Sequence, residues 1–235
     1  KIIAQFRFPP VMERPGRSPR RVFGISLEQS RNVERTARPV LTEPKEIEDA
    51  HKAIGLRRGH VELVPYDPAW RRIFEQERAR LREAIGAYVL DIQHVGSTSI
   101  PGMIAKPILD IGIAVESFEG ARVCSEPVEA LGYTYRGENG IPRRHFFVKG
   151  DPRTHHLHIN EITSADWGNQ VLFRDALIRD PQLAAAYAAL KIDLARRFAD
   201  DREAYTTAKA PFIEQVLRQA RAALRGQHAS PLDDV

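Results

Sequence analysis

The sequence predicts an α+β fold, a mixed or antiparallel β-sheet flanked by helices and followed by a helical C-terminal part. Two observations carry this. Five short stretches with β-type patterning, at 88–95, 107–115, 133–136, 145–149 and 155–162, crowd the middle of the chain, and a single helical stretch, 119–131, interrupts them. Three helical stretches then close the chain, and strands flanked by helices without strict alternation indicate α+β architecture. A third observation sets the boundaries. Residues 1–41 carry nine basic and three acidic side chains, so +6 of the formal charge of +4 sits there and the remainder holds −2. The division is a basic, proline-containing tail at 1–44, a domain at 45–226 and a short C-terminal tail at 227–235.

The tail contains Pro9, Pro10, Pro15, Pro19 and Pro39 and no sustained apolar period, so it reads as a flexible linker or as an arm for anionic surfaces. Residues 46–54 suit a short helix with Ile47, Ala50 and Ile54 on one face, and Val61–Val64 alternates like a strand. Asp67-Pro68 starts a helix, the carboxylate capping and the proline pre-setting the backbone. Trp70, Ile73, Phe74, Leu81, Ala84 and Ile85 then fall at helical spacing as core. The first closing helix runs from Ala165 to Ile178. The second starts at Asp180-Pro181 and carries Leu183, Tyr187, Leu190, Leu194 and Phe198. The third carries Phe212, Ile213, Val216, Leu217, Ala220 and Leu224, with Pro211 near its start or kinking it.

Composition excludes several function classes. A single cysteine, Cys124, rules out a disulfide scaffold and a four-cysteine metal site built from this chain alone. No apolar run approaches the roughly 18 residues that span a membrane, and no signal peptide pattern opens the chain, so the expected location is cytoplasmic without membrane contact. No phosphate loop of the Gly-x-x-x-x-Gly-Lys-Ser/Thr type is present. Because the positive charge belongs to the tail, nucleic-acid binding is not expected of the domain and stays open only for the tail.

The chemistry concentrates between His94 and Glu161. His94-Val-Gly-Ser-Thr-Ser-Ile-Pro-Gly102 ends a strand in Gly-Ser and adds three consecutive hydroxyls. Gly96 permits close approach of a ligand, and free N–H groups with the hydroxyls of Ser97, Thr98 and Ser99 suit phosphate oxygens; a plain hydroxyl-rich turn is the alternative. Asp110 lies inside the apolar run Ile108–Val115. Period two puts it on one face with Ile108, Gly112 and Ala114. A carboxylate there is costly unless paired or bound to metal, or satisfied by the N–H groups of the Gly-Ser turn.

Gly-Ser followed by an Asp-bearing strand resembles the polymerase-β-like nucleotidyltransferase superfamily. The wording from His94 to Asp110 resembles its GrpB family. Val61–Trp70, Arg144–Lys149, His155–Ile159, Leu172–Asp175, Tyr187–Lys191 and Tyr205 with Lys209 resemble further blocks of that family, over residues 50–225. The resemblance implies a nucleotidyltransferase-type fold with Gly96 and Ser97 on phosphate. It implies Asp110 as a ligand of Mg²⁺ or Mn²⁺, a second acid at 112 and a third from another strand. This chain departs from the pattern with Gly112, and the third-acid candidate is Glu161. The family also implies an accessory role, since in some relatives such a domain lies behind dephospho-CoA kinase.

Alternation along His155–Ile162 puts His156, His158 and Asn160 on one face and Glu161 with Leu157 and Ile159 on the other. His156 and His158 are candidates for acid/base catalysis beside Asp110, for phosphate contact, or for zinc with Asp110 or His145; a pair of satisfied polar-strand histidines is the alternative. Lys106, Arg143, Arg144 and Lys149 flank the expected pocket, with Lys106, Arg144 and Lys149 as phosphate-binding candidates. Arg174 and Asp175 suit an ion pair or a reach into the site, and Lys191 and Lys209 read as solvated helix residues. Two functions follow: binding of a nucleotide or other phosphate-bearing small molecule with nucleotidyl transfer, or a non-catalytic module acting on a protein partner.

Overall fold

A computed structural model describes residues 54–227, so the basic tail and, apart from Ile54, the helix expected at 46–54 lie outside the described residues. Six helices and five strands order this part. Helix α1 is Ala69–Ile85, α2 Ser125–Ala130, α3 Ala165–Arg179, α4 Pro181–Arg197, α5 Arg202–Ala208 and α6 Ala210–Gln227; the strands are β1 Asp91–Val95, β2 Leu109–Val115, β3 Tyr133–Tyr135, β4 Arg144–Lys149 and β5 His155–Glu161. Asp67 accepts a 2.8 Å bond from the Ala69 N–H, which sets the start of α1 behind Pro68.

Local sequence explains where the expected elements shift. The helix expected over 119–131 is a 3₁₀ run, Gly120–Cys124, passing into α2. The expected strand at Val61–Val64 does not form beyond one bridge from Val64 to Ala105, because the Val61 N–H bonds the Ala199 carbonyl at 2.8 Å instead. Four helices close the chain instead of three: Asp201 caps a new start by accepting from the Ala204 N–H at 2.9 Å, which separates α5 from α4. Pro211 sits in the first turn of α6, where its missing N–H costs nothing.

The sheet is mixed, in the order β1-β2-β5-β4-β3, with β2 and β5 parallel and all other pairs antiparallel. It is the α+β arrangement of a mixed sheet flanked by helices that the sequence predicts. One face is apolar: Leu109, Ile111, Ile113, Phe147, Leu157 and Ile159 are fully buried there with Trp70, Phe74 and Leu81 of α1. Burial of each such side chain contributes about 1.5–3 kcal/mol, so this face anchors the fold. The opposite face carries Asp110, Gly112, His156, His158 and Arg144, because the register pairs Asp110 with His156, Gly112 with His158 and Arg144 with Asn160. Helix α3 packs over β1, β2 and β5 on that second face. No helix of the described residues is long and apolar enough to cross a membrane.

Lys149 belongs to the first face, not to the site. Its Nζ donates to Glu77 Oε1 of α1 at 2.7 Å, and Glu77 is 4% exposed. Burial alone would raise the Glu77 carboxyl, but the Lys149 hydrogen bond and charge, with His155 and Tyr133, hold it below the ordinary glutamate value. A carboxyl depressed in the fold stabilises it above the unfolded pKa and loses that contribution as pH falls. Lys149→Ala, which leaves Glu77 only the exposed Arg80 at 3.6 Å as a cationic partner, is expected to lower the urea unfolding free energy at pH 7 by about 3 kcal/mol. The deficit is expected to shrink below pH 4, where Glu77 of the variant is protonated.

Candidate functional site

The site begins where β1 runs out. Gly96 adopts φ 68° and ψ −173°, and Ser97–Ser99 follow as a 3₁₀ turn. Ser99 Oγ donates to the Gly96 carbonyl at 2.6 Å, and Thr98 Oγ1 lies 3.0 Å from His94 Nε2, whose ring stacks on Phe74. Burial pushes His94 down to about 4, so its imidazole is neutral and part of the support of the turn. A Cβ at position 96 would stand 2.5 Å from Asp110 Oδ2. Only glycine, with its positive φ, lets the turn lie against the Asp110 carboxylate.

Asp110 is the centre of a five-residue chain of contacts. His156 Nδ1 lies 2.9 Å and His158 Nε2 3.5 Å from its Oδ1. The other nitrogen of each ring faces an arginine: Arg202 Nη2 is 3.1 Å from His156 Nε2, and Arg144 Nη1 is 3.4 Å from His158 Nδ1. Guanidinium groups only donate, so each histidine accepts from its arginine and gives its remaining proton to Asp110. The tautomers are thereby fixed as Nδ1–H on His156 and Nε2–H on His158. Burial pushes His156 down against the pull of Asp110. Burial would raise Asp110, yet the two histidine hydrogen bonds hold it well below the usual carboxylate range. Arg144 also donates to the carbonyls of Glu138 and Asn139 and covers Phe146, which makes it an immobile member of the network.

Three lysines gather near Asp110 and the turn. Lys191, read from sequence as solvated, is 1% exposed and donates to Ser97 Oγ at 3.1 Å and to the Ile104 carbonyl. Lys106 and Lys209 place their Nζ 5.3 and 4.5 Å from the centre of the Tyr205 ring. Burial, then the neighbouring Lys209 and Arg202, push Lys106 down to about 7. Burial, with Lys209 and Lys106, does the same to Lys191 at about 7, and burial brings Lys209 to about 8 although Asp110 opposes it. Lys191 was detectable in the sequence, since it lies four residues after Tyr187 on the stripe that continues to Leu194. Lys209 likewise follows Tyr205 by four. Arg202 carried no such signal, because it begins a short helix reached only through the Asp201 cap.

Several sequence candidates lie elsewhere. Glu161 does not face Asp110; it takes Arg143 at 2.7 Å and the Phe118 N–H at 3.0 Å on the apolar-face side of β5. Arg143 is held there by Glu161 and Glu119 and so leaves the pocket. His145 shares that first face, its Nδ1 on the Tyr135 hydroxyl and its Nε2 on the Phe118 carbonyl, both at 2.8 Å. Arg174 forms the expected ion pair with Asp175 at 2.7 Å and also donates to Gln93 and the His94 carbonyl.

The two-metal arrangement implied by the superfamily does not fit these residues. A side chain at position 112 would meet Trp167 Cζ3 at 3.1 Å and Gln170 Oε1 at 3.3 Å, so α3 fills the place of the second acid. Zinc fits no better, since the ring nitrogens of His156 and His158 that face Asp110 carry protons and the others face arginines. Among the described residues no group of three or more His, Cys, Asp or Glu is arranged to hold a metal ion. Gly112→Asp is therefore expected to lower stability by about 2–4 kcal/mol in urea unfolding, through overpacking and a buried unpaired charge. It is expected to create no Mg²⁺ binding in a calorimetric titration.

The chain matches the model of a family described as "GrpB protein" over residues 60–219. It is 42% identical over 170 residues to "UPF0157 protein PA4798" of Pseudomonas aeruginosa, covering 70% of this chain and 69% of that one. It is 33% identical over 193 residues to a "Dephospho-CoA kinase" of Mycolicibacterium paratuberculosis, covering 70% of this chain and 47% of that one. The crystal structure of the conserved protein GrpB from Enterococcus faecalis superposes with a TM-score of 0.64 at 34% identity, over 68% of this chain and 96% of that chain. The resemblance carried by the His94–Asp110 segment thus extends over residues 60–219, and the chain belongs to the GrpB family.

Proposed function

We propose that this protein binds a nucleotide or a similar phosphate-bearing small molecule between the Gly96–Ser99 turn and the C-terminal helices. One observation carries the reading: Lys191 donates to Ser97 of the turn, Lys106 and Lys209 gather over Tyr205, and Arg202 meets His156, all around the single carboxylate of Asp110. Three amines held with depressed pKa values repel one another, and an anion between them removes that cost. Ser97 stands where a phosphate oxygen would accept from Lys191 and from the turn. Asp110, bound by two histidines, positions the walls of the pocket and supports no nucleotidyl transfer by the two-metal route.

A second reading is a non-catalytic module acting on a protein partner, as a dephospho-CoA kinase relative that shares the domain suggests. The filling of position 112 by Trp167 and Gln170 favours it. That reading predicts an effect on a partner's solubility that survives Asp110→Ala and needs no nucleotide.

The first reading is tested by calorimetric titration of the four common nucleoside 5′-monophosphates, with Mg²⁺ and with EDTA. Saturable binding of at least one is expected, and equally in EDTA; no binding by any of them overturns the reading. Lys106→Ala and Lys191→Ala are each expected to weaken binding tenfold or more, the worth of one charge-assisted hydrogen bond. Affinity is also expected to fall between pH 6 and pH 9, because amines that titrate at about 7, 7 and 8 carry their charge only below those values. A flat profile over that range speaks against the lysines as the binding groups.

A further inference from the structure

A second group of cations, Arg58, Arg136 and Arg153, lies beside Arg202 and takes no part in the contacts above. The backbone of Arg153 bridges to Leu56 through two 3.0 Å hydrogen bonds, which brings Arg153 next to the segment carrying Arg58. The Arg136 N–H bonds the Phe146 carbonyl at 2.8 Å, which places Arg136 at the start of the same sheet face as His156 and His158. Arg202 reaches that face from α5. Among the described residues none of these four arginines is paired with a carboxylate. The Arg153 Nε is buried with no hydrogen-bond partner, an orphan donor that costs about 1–3 kcal/mol unless something accepts from it. Burial and the charges of Arg202, Arg136 and Arg58 all disfavour the charged form of Arg153, and only Asp151 opposes them.

We infer that Arg58, Arg136 and Arg153 form a second anion subsite joined to the lysine pocket through Arg202, so that the ligand carries two separate phosphate groups. The inference rests on the phosphate reading above and names its substrate class: a small bisphosphate in place of a monophosphate. Planar guanidinium forks suit bidentate capture of a phosphate better than the point charges of the lysines do. Lysines at the turn and arginines along the sheet thus offer two sites of different geometry. Arg202, held by His156 and so by Asp110, fixes the distance between them.

The test compares adenosine 5′-monophosphate with adenosine 3′,5′-bisphosphate by calorimetry on the full chain. The bisphosphate is expected to bind the wild type at least tenfold tighter. Arg153→Gln is expected to bring the ratio of the two affinities close to one. Arg58→Gln, at an exposed position where the fold is not at risk, is expected to lower the same ratio by about threefold. Equal affinities in the wild type, or a ratio that neither variant moves, overturn the second subsite while leaving the monophosphate reading intact. Binding of neither probe overturns the second subsite, and together with no binding of the other three monophosphates it overturns the monophosphate reading as well. A single-stranded oligonucleotide that binds tighter than the bisphosphate, with the same arginine dependence, overturns the small-molecule assignment.

Discussion

The contact of Asp110 with two histidines is the constraint from which the rest of the site follows. A carboxylate in the interior strand of a mixed sheet must be satisfied. Here the parallel pairing of β2 with β5 supplies the donors, because it sets Asp110 beside His156 and within reach of His158. Which nitrogen of each histidine carries the proton given to Asp110 is set by the other nitrogen accepting from Arg202 or Arg144. The network therefore ties the sheet to α5 and fixes two tautomers without any ion. The same carboxylate requires glycine at 96, since the turn lies close enough that a Cβ would strike it.

The electrostatic inventory then separates this site from a metal centre. A two-metal site gathers acids; this one gathers amines and guanidinium groups around one acid already engaged by hydrogen bonds. Helix α3 places Trp167 and Gln170 where a second acid would project, so the difference is built into the packing as well as into residue 112. Phosphate-bearing ligands suit such a surface because they bring the missing negative charge, and the depressed lysines gain protons as they bind. Lys149 and Glu161 illustrate the converse: each charge found an opposite partner on the other side of the sheet and so contributes to the fold and not to the pocket.

Much of the fold was legible because it rests on local rules. Alternation marked β2 and β5 and set Asp110 and Gly112 on one face, His156 and His158 on one face, and Glu161 on the other; the Asp67-Pro68 and Asp180-Pro181 pairs marked two helix starts; and the helical spacing of Trp70, Phe74 and Leu81 marked the core. The failure of the strand expected at Val61–Val64 to form and the number of closing helices were not legible. They depend on which distant carbonyl a free N–H meets and on one aspartate cap. The family's residue pattern was readable too, since Gly-Ser and the Asp-bearing strand follow one another directly.

What sequence by itself determined, then, is the α+β class, the turn against Asp110 and the identity of the face on which that carboxylate lies. Which groups share the face was decided by tertiary structure alone. Arg202 and Lys209 reach Asp110 through helices more than ninety residues further along the chain. His145 and Lys149, close to His156 in sequence, were carried away by the same alternation one strand over. Charge in a chain is a local property, but its partner is chosen by strand register and helix packing, and those bring together residues that no spacing connects.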